Sequence, residues 1–263
     1  MKEPGYQQKK AFYDRVLTVY GRKPALEALR DQSLDCHALH LANSNREGGI
    51  VAELLSVAEK RGIPIHRHSR EQLSRISKNG KQDQGVALDI VCPAFQSLDH
   101  YLEAVAERPA QRLLALDGIT NPQNLGMIVR SAAAGAIDGL IWPLKGNAAP
   151  GPLVIKASAG TLYRAPVLSC AELPTALRAC RARDMEICTL EVGAEKTLFE
   201  YQPIGHCVYV LGNETQGVSA SVSALANRAL SIPMNNDVES LNVAVTASLI
   251  AYANALQGSS RRR

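Results

Sequence analysis

The chain has 263 residues, of which 46% are apolar and 21% charged, and its net charge at neutral pH is +4. This length suits one large domain or two small ones, and the composition is that of a globular protein with a packed core. No apolar run approaches the roughly 18 residues of a membrane span, and the N-terminus lacks the apolar stretch of a signal peptide. We therefore expect a cytoplasmic protein.

Strands and helices alternate in residues 1–92. Each predicted strand is a short apolar run, and each predicted helix has apolar residues at helical spacing. The predicted strands are 37–42, 63–68 and 86–91, and the predicted helices are 50–61 and 69–76. This pattern predicts a small α/β domain.

The positive charge of the chain lies in this front part. Residues 1–92 hold 15 Lys and Arg against 11 Asp and Glu, whereas 93–263 hold 14 of each. Between positions 60 and 81, Glu71 is the one acidic residue among seven basic ones. The basic residues are Lys60, Arg61, Arg67, Arg70, Arg75, Lys78 and Lys81. They predict a surface suited to phosphates, with a merely solvated face as the alternative.

Neither the cysteines nor the histidines predict a metal site. Six cysteines are scattered without a C-x-x-C pair, so we interpret them as reduced, buried thiols. A catalytic thiol would have to lie in a turn near the ligand loops, whereas Cys207 opens a strand. His66 and His68 alternate on a predicted strand, but the sequence offers no third ligand. They are interpreted as histidines that face a ligand of the same basic surface or as plain surface histidines.

The second part of the chain predicts a larger α/β domain. We expect a linker at 93–111, with a turn-forming stretch at 93–97 and a connecting helix at 98–107. In the domain 112–263, strands are predicted near 113, 138, 165, 186, 207 and 229, and helices at 124–135, 171–183 and 240–256. Strands that alternate with helices predict a mostly parallel, covered sheet. No G-x-G-x-x-G follows a strand, so the usual dinucleotide fingerprint is absent.

The first of three unusual polar segments follows the predicted strand 112–117. Asn121-Pro122 starts a turn, and a helix comes after it. The apolar positions of that helix are Leu125, Ile128, Val129, Ala132 and Ala133. Asn124 and Arg130 are six positions apart, which is about 240° around a helix. They converge on one ligand only if Asn124 lies in the turn before the helix, and this is where we expect it.

The second segment follows the predicted strand 207–211. Gly212 and Gly217 bracket a turn, and glycines let a backbone approach a ligand closely. The spacing is similar to that of a phosphate-binding loop, but Val218 stands where that loop needs lysine, and Glu214 would repel a phosphate. A nucleoside triphosphate site is therefore excluded.

The third segment lies between a predicted strand at 229–233 and the last helix. A polar loop, 234–239, leads to Ser240, which we expect to be the N-cap of that helix. The apolar stripe of the helix is Leu241, Val245, Leu249, Tyr252 and Leu256. Asn242 then falls in the first turn, where its amide either points to a ligand beyond the strand end or caps the helix.

The three segments resemble the ordered motifs of one protein family. N-P-x-N-x-G-x-I-x-R, then G-N-E-x-x-G, then S-I-P-M and S-L-N-V-A resemble the motifs of the SpoU (TrmH) family of RNA ribose 2′-O-methyltransferases. The likeness runs from Leu113 on, and the front part, with Val19-Tyr20-Gly21, is similar to the substrate-binding domain of many rRNA-modifying members. Thr215 replaces a glycine common after G-N-E, and Asn236 stands where glycine is often found.

This resemblance implies a fold and a cofactor. The fold is α/β: a C-terminal, mostly parallel sheet with a deep trefoil knot, preceded by the small substrate-binding domain. The cofactor is S-adenosylmethionine, which the knot loops of the family hold in a bent shape. Main-chain groups and apolar side chains suit its adenine ring. The implied cofactor-binding residues are Leu211, Gly212, Gly217, Ile232, Met234 and Leu241.

The resemblance also implies that methyl transfer depends on Arg130. A ribose 2′-hydroxyl is a weak acid, so its oxygen needs a base or a positive charge beside it. Because an arginine is hard to deprotonate, we expect Arg130 to orient the hydroxyl or its neighbouring phosphate and to stabilise the developing negative charge. The residues implied to position Arg130 and the ribose are Asn124, Glu214, Ser240 and Asn242.

Members of this family are homodimers that complete the site across the knot interface, so a homodimer is expected. Small and apolar residues lie beside the main stripe of the last helix, and they mark either a dimer face or a helix buried in the monomer. They are Ala244, Ala247, Ile250 and Ala251.

The terminal Arg261-Arg262-Arg263 is expected to be a mobile arm that touches phosphate or makes no contact.

The leading hypothesis is methylation of ribose in 23S rRNA, which the front domain favours. The alternatives are a tRNA substrate, methylation of a base, and a non-catalytic RNA-binding or ribosome-assembly factor of the same fold. Changes at Thr215 and Asn236 favour the non-catalytic factor. Four intact motif residues argue against it: Asn124, Arg130, Glu214 and Asn242. The S-L-N motif argues against base methylation.

Overall fold

The chain folds into two compact units. A computed structural model describes residues 4–259. One unit runs up to Pro93 and includes Pro150–Pro152, and the other comprises Ala94–Ala149 and the chain from Leu153 on. Arg261-Arg262-Arg263 lies outside the described residues, as does the side chain of Leu256.

The first unit is a small α/β domain, as predicted. Its described strands are β1 (Val16–Tyr20), β2 (Asp35–Ala42), β3 (Ile65–His68) and β4 (Val86–Val91). Its described helices are α1 (Pro4–Tyr13), α2 (Arg22–Arg30), α3 (Ile50–Lys60) and α4 (Arg70–Ser77). The strand order is β1-β4-β2-β3; β4 is antiparallel to both neighbours, and β3 is parallel to β2. The sequence pattern predicts all of these elements except β1, α1 and α2.

A capping box determines where α4 begins. The Ser69 hydroxyl accepts a hydrogen bond from the backbone N–H of Gln72 at 3.2 Å, and the Gln72 side chain accepts one from the N–H of Ser69 at 2.9 Å. This reciprocal pair satisfies two N–H groups at the start of the helix. The helix therefore begins one residue after its predicted start.

The second unit is built on a sheet of parallel strands. They are β5 (Gln96–Ser97), β6 (Arg112–Leu116), β7 (Gly139–Pro143), β8 (Val167–Cys170), β9 (Glu186–Leu190), β10 (Cys207–Leu211) and β11 (Arg228–Leu230). Its described helices are α5 (Leu98–Glu103), α6 (Pro122–Ala134), α7 (Pro152–Ala157), α8 (Leu173–Arg181), α9 (Ala220–Ser223) and α10 (Val243–Ser259). All strand pairs are parallel, which confirms the predicted sheet.

The segment expected to be a linker, 93–111, contributes to the core of the second unit. Strand β5 pairs with β8 at the edge of the sheet, and Ser97 caps α5. Leu98, Tyr101 and Leu102 of α5 are buried in the core of this unit. The segment is therefore not a free connection, because the apolar face of this short helix packs against the sheet.

The strand order β11-β9-β10-β6-β7-β8-β5 has a reversal at its centre. From β6 the chain continues to β7 on one side, and from β10 it continues to β11 on the other. In open α/β sheets a ligand crevice forms at such a switch point, outside the carboxyl ends of the strands. The topology therefore points to the loops after β6 and β10 as the candidate site.

Helices α6 and α10 pack closely and run in the same direction. The hydroxyls of Ser131 and Ser248 are 2.8 Å apart, and one turn later Gly135 lies against Ala251. A Cβ on Gly135 would lie 2.6 Å from the Cβ of Ala251, so this approach requires a glycine. The two helices therefore start side by side.

The small residues of α10, rather than the predicted stripe, form its buried face. The buried residues are Val243, Ala244, Ala247, Ile250, Ala251 and Ala253. Val245 and Tyr252 of the predicted stripe are 48% and 49% exposed. These two residues of the stripe therefore do not pack against the core of this unit, and alanines make the close approach of α10 to α6. In the described part of the chain, no helix is both long and apolar enough to cross a membrane.

Candidate functional site

The three polar segments leave the sheet on the same side, at the carboxyl ends of their strands. Strands β6, β10 and β11 are parallel, so their carboxyl ends lie on the same side. The N–H of Asp117, just after β6, donates to the carbonyl of Leu211 at 2.9 Å, and its carboxylate accepts from the N–H of Ser219 at 2.7 Å. The loop after β6 is thus bonded to both ends of the loop after β10.

Three side chains, one from each segment, form a hydrogen-bonded chain. The Asn124 amide donates to the carboxylate of Glu214, and its carbonyl accepts from Nδ2 of Asn242 at 3.2 Å. Oδ1 of Asn242 accepts in turn from the backbone N–H of Ala244 at 2.9 Å. Asn124 is buried, whereas Glu214 and Asn242 are exposed. The hydrogen-bonded chain therefore links the buried amide of Asn124 to two exposed side chains, Glu214 and Asn242, that a ligand can reach.

The direction of each bond in this chain is fixed at the α10 end. An asparagine side chain offers one carbonyl that accepts and one NH2 that donates. Because Oδ1 of Asn242 accepts from a backbone N–H, its NH2 donates to Asn124, whose own NH2 then donates to Glu214. Glu214 accepts with Oε1, and its Oε2 has no hydrogen bond to the described residues.

Asn124 lies inside α6 and not in the turn before it. Asn121 is the N-cap: its Oδ1 accepts from the N–H of Gln123 at 2.8 Å and of Asn124 at 3.3 Å. Pro122 is the first helical residue, a position where the missing N–H costs nothing. The helix therefore begins two residues earlier than predicted, and the expected placement of Asn124 was wrong.

We expected Arg130 and Asn124 to converge on one ligand. Within a single copy of the chain they lie on different sides of α6 and do not. Both residues lie on α6, and six helical positions separate them by about 240°. Asn124 is buried and Arg130 is exposed. Within the part of the chain that is described, the Arg130 guanidinium forms no hydrogen bond or ion pair. Its side chain is therefore available to a partner outside the residues described.

Asn242, and not Ser240, caps α10. Val243 is the first helical residue, and the side chain of Asn242 accepts from the N–H of Ala244. Ser240 is exposed, and its side chain forms no hydrogen bond to any described residue. Serine and asparagine are comparable caps, so the bond from Asn242 to Asn124 favours the later start. Of the two roles that the sequence left open for Asn242, the structure has the cap, and its NH2 donates to Asn124.

The residues expected to bind the cofactor follow β10 and β11. Leu211 is buried at the end of β10. A Cβ on Gly212 would lie 2.3 Å from the carbonyl carbon of Gly217, and Gly217 itself has a φ of 68°. The partly exposed apolar residues of the set are Ile232, Met234 and Leu241. Two glycine positions that disfavour a side chain, with apolar groups at the carboxyl ends of the same sheet, fit an adenine-containing ligand.

Asn213 is a site residue that the motif analysis did not single out. Its Oδ1 accepts from the N–H groups of Thr215 at 2.9 Å and Gln216 at 3.2 Å, and its Nδ2 donates to the carbonyl of Gly118 at 2.8 Å. Asn213 therefore shapes the loop that carries Glu214 and ties it to the loop after β6. An asparagine between an apolar strand and a glycine is the signal for such a turn.

The two departures from the family motifs preserve the backbone. Asn236 has a φ of 57°, in the left-handed region that glycine adopts easily and asparagine more readily than other side chains. Thr215 lies outside that region, and its N–H is bonded within the loop. Neither residue therefore distorts its loop.

The cysteines are free thiols with little nucleophilic character. Burial raises the pKa of every one, so the thiols are protonated at neutral pH. The pKa rises to about 12 for Cys92, Cys170, Cys180 and Cys188 and to about 11 for Cys207, and that of Cys36 also lies above its usual value. Among the described residues, no group of three or more His, Cys, Asp or Glu is placed to hold a metal ion.

The basic surface of the first unit is smaller than predicted. Arg61 donates to the carbonyls of Leu29 at 2.6 Å and Leu34 at 2.7 Å, and Arg67 forms an ion pair with Glu47. Arg61 is therefore used within the fold, whereas Arg67 is exposed but has its charge balanced by Glu47. The remaining basic residues are exposed: Lys60, Arg70, Arg75, Lys78 and Lys81.

Comparison with known proteins identifies both units. Residues 111–252 match the SpoU rRNA Methylase family, and residues 18–95 match a domain described as RNA 2′-O ribose methyltransferase substrate binding. An uncharacterized tRNA/rRNA methyltransferase of Mycolicibacterium smegmatis is 35% identical over 238 residues, which cover 90% of this chain and 75% of that protein. A protein of the same description from Mycobacterium avium is 34% identical over 233 residues, covering 89% and 75%.

Solved structures share the fold. The SpoU methyltransferase AviRb of Streptomyces viridochromogenes, solved with S-adenosylmethionine, has a TM-score of 0.61 and 21% identity, covering 98% of this chain and 95% of that one. An rRNA methyltransferase of Sinorhizobium meliloti, also solved with S-adenosylmethionine, has a TM-score of 0.59 and 18% identity, covering 97% and 91%. At these identities the likeness establishes the fold.

Proposed function

This chain belongs to the SpoU family of RNA methyltransferases, and we propose that it transfers a methyl group to a ribose 2′-hydroxyl of RNA. S-adenosylmethionine is the methyl donor of the family, as the resemblance implied. The observation that carries the proposal is the hydrogen-bonded chain from Asn242 through Asn124 to Glu214. It fixes polar side chains from three loops at the switch point of the sheet, where a ligand crevice is expected.

We assign the cofactor to the carboxyl ends of the strands, beside the hydrogen-bonded chain from Asn242 to Glu214. S-adenosylmethionine supplies a methyl group on a sulfonium sulfur, and transfer requires an oxygen aligned with the carbon–sulfur bond. Gly212 and Gly217 bring the two ends of the turn after β10 close together, and neither carries a side chain that would keep its own backbone from the cofactor. The apolar groups assigned to the adenine and ribose are Leu211, Ile232, Met234 and Leu241.

We assign the ribose oxygen to Arg130. A guanidinium keeps its proton, so it acts as a donor that orients the hydroxyl or its phosphate and stabilises the charge on the oxygen. Oε2 of Glu214 has no partner among the described residues and can hold the guanidinium in a planar pair. Asn124 and Asn242 position Glu214, and Ser240 lies in the same loop region to position the ribose.

Because Arg130 and Asn124 lie on different sides of α6, we propose that a homodimer completes the site. Arg130 of one protomer would then reach Glu214 of the other. The exposed Val245 and Tyr252 on the outer side of α10 supply an apolar surface for the second copy.

We also propose that the chain forms the trefoil knot of the family around β10, which lies between β6 and β9.

We propose that the substrate is rRNA, in particular 23S rRNA, and not tRNA. We also propose that the reaction takes place in the cytoplasm. The first unit supports this assignment, because it matches a substrate-binding domain and its exposed residues include Lys60, Arg70, Arg75, Lys78 and Lys81. Exposed lysines and arginines bind phosphates without regard to base sequence, so they supply affinity rather than selection of one nucleotide.

The experiment that tests this function uses purified protein, methyl-labelled S-adenosylmethionine, and separate rRNA and tRNA from cells that lack the protein. We expect label in rRNA, and none in rRNA from cells that contain the protein, since the target is already methylated there. Label in tRNA would replace the substrate assignment. No label, despite measurable binding of cofactor and RNA, would identify a non-catalytic RNA-binding factor.

A further inference from the structure

A polar row crosses one face of the sheet in the first unit. In strand order it consists of Thr18 on β1, Asp89 on β4, His40 on β2, and His66 with His68 on β3. The pairing register places Thr18 opposite Asp89 and His40 opposite His66. Asp89 is 8% exposed, His40 and His68 are partly buried, and His66 is exposed. The three histidines and Asp89 are called the histidine cluster below.

Hydrogen bonds join the cluster into one network. The Asp89 carboxylate accepts from the Thr18 hydroxyl at 2.6 Å and from Nε2 of His40 at 3.1 Å. Nδ1 of His40 lies 3.0 Å from Nε2 of His68. The rings of His40 and His66 stack with centroids 5.5 Å apart. Each histidine is therefore held in place by another member of the cluster.

The network determines which nitrogen takes up a proton. Burial alone would raise the pKa of Asp89, but hydrogen bonds from His40 and Thr18 hold it below its usual value, so Asp89 is ionised. Nε2 of His40 consequently carries a hydrogen. In the arrangement with one ring hydrogen on each histidine, Nδ1 of His40 accepts from Nε2–H of His68. The remaining nitrogen, Nδ1 of His68, has no partner among the described residues. A proton can bind there without disturbing any existing bond.

In the free protein the surroundings of His68 disfavour its protonation. Burial, together with His40 and His66, lowers the pKa of His68. Among the other charged groups nearby, His37 on β2 acts on Asp89, and Arg67 on β3 is already paired with Glu47. Helix α4 packs on the same sheet and begins with Arg70 and Glu71, but within the described residues neither forms an ion pair with the cluster. A bound anion would therefore be the group that favours protonation.

We propose that the histidine cluster binds an RNA phosphate and takes up one proton as it does so. The proposal rests on the assignment of RNA as substrate, and it adds a site in the first unit that is separate from the methyl-transfer chemistry. Protonated His68 donates from Nδ1 to the phosphate, exposed His66 lies beside it, and Asp89 stabilises the cation through His40. Because binding raises the pKa of His68, RNA affinity increases as the pH falls toward and below about 6.5, the ordinary value for histidine.

The test measures the dissociation constant of the full-length protein for a fluorescein-labelled RNA hairpin, with EDTA present, at about pH 5.5 and about pH 8. We expect affinity several-fold higher at the lower pH; uptake of one proton limits the change to about tenfold per pH unit. The dependence of log Kd on log salt should also be steeper at low pH by about 0.7 to 0.9, the contribution of one phosphate contact. A purely structural cluster would not change this slope.

Two variants and one control make the assignment specific. His68→Gln should lose the pH dependence and the extra salt dependence, and His66→Gln, at an exposed position that stability does not require, should reduce both. His100→Gln changes an exposed histidine of the second unit and should behave as the unchanged protein. Wild-type affinity that is independent of pH, or pH dependence that survives in both cluster variants, would overturn the proposal.

Methyl incorporation at about pH 8 separates this proposal from the proposed function, since His68 is neutral at that pH with or without the proposed site. If the cluster has no role in RNA binding, incorporation into RNA remains normal while affinity does not depend on pH. If the protein is not a methyltransferase, no methyl group is incorporated, whatever the pH dependence of RNA binding.

Discussion

Nδ2 of Asn242 donates a hydrogen bond of 3.2 Å to Oδ1 of Asn124, a residue 118 positions earlier in the chain. Asn242 caps α10, and Asn124 lies in the first turn of α6. Because the two helices run side by side, this single bond fixes their starts relative to each other. It also orients the Asn124 amide toward Glu214. The geometry of the candidate site therefore depends on the helix pair as well as on its loops.

Replacement of Asn124 by alanine is expected to reduce both methyl transfer and stability. Asn242 loses its acceptor and Glu214 loses its donor, and the loss of two hydrogen bonds, one of them to a carboxylate, costs about 1–3 kcal/mol. Thermal unfolding and methyl incorporation measure the two effects. Gln123→Ala, at the exposed neighbouring position, is the control and should preserve both. Full activity of Asn124→Ala would show that the hydrogen-bonded chain does not serve the reaction.

Replacement of Arg130 by lysine should lower the rate of methyl transfer by about tenfold or more, because an ammonium cannot reproduce the planar pair of hydrogen bonds of a guanidinium. The melting temperature should stay unchanged, since Arg130 is exposed and unpaired in the described part of the chain. Arg178→Lys, at an exposed position on α8, is the matched control. Full activity of Arg130→Lys at neutral pH would refute the bidentate role.

Gly212→Ala is expected to abolish measurable binding of S-adenosylmethionine in calorimetric titration. The added Cβ would lie 2.3 Å from the Gly217 backbone, so the turn after β10 has to open. Gly205 precedes the same strand, and a Cβ there meets no atom within 4 Å. Gly205→Ala should therefore bind the cofactor normally. Equal affinities of the two variants would place the cofactor away from this turn.

Substitutions at Asn236 test whether the departure from the family motif matters. Asn236→Gly should retain stability and cofactor affinity, because glycine adopts the observed φ of 57° without strain. Asn236→Val should cost about 1–2 kcal/mol, since a β-branched residue disfavours the left-handed region. Chemical denaturation and cofactor titration provide the comparison. If valine is tolerated as well as glycine, the loop conformation is not required.

The sequence predicts the sheet well because each strand is a compact apolar run. Strand β4 has its predicted ends, and all six strands predicted after residue 111 are present in parallel pairs. Short elements such as β5 and α9 are missed, since two to four residues carry little periodic signal. The family motifs contain Asn124, Glu214 and Asn242, the three side chains that the structure joins by hydrogen bonds.

The sequence could not specify how the site is assembled. Where α10 begins depends on the bond from Asn242 to Asn124, a contact between distant positions that local capping rules do not contain. The buried face of α10 depends on the close approach of α6 at Gly135. The histidine cluster likewise became visible only when His40 of β2 was placed opposite His66 of β3.

The chemical position of the methyl group tests the central claim most directly. Alkaline hydrolysis of RNA requires a free 2′-hydroxyl, so a 2′-O-methylated nucleotide remains joined to its neighbour. After reaction with methyl-labelled S-adenosylmethionine, the RNA is hydrolysed with alkali and the products are separated. The account predicts label in alkali-stable dinucleotides that yield a 2′-O-methylnucleoside on enzymatic digestion. Label in mononucleotides with a methylated base would contradict it.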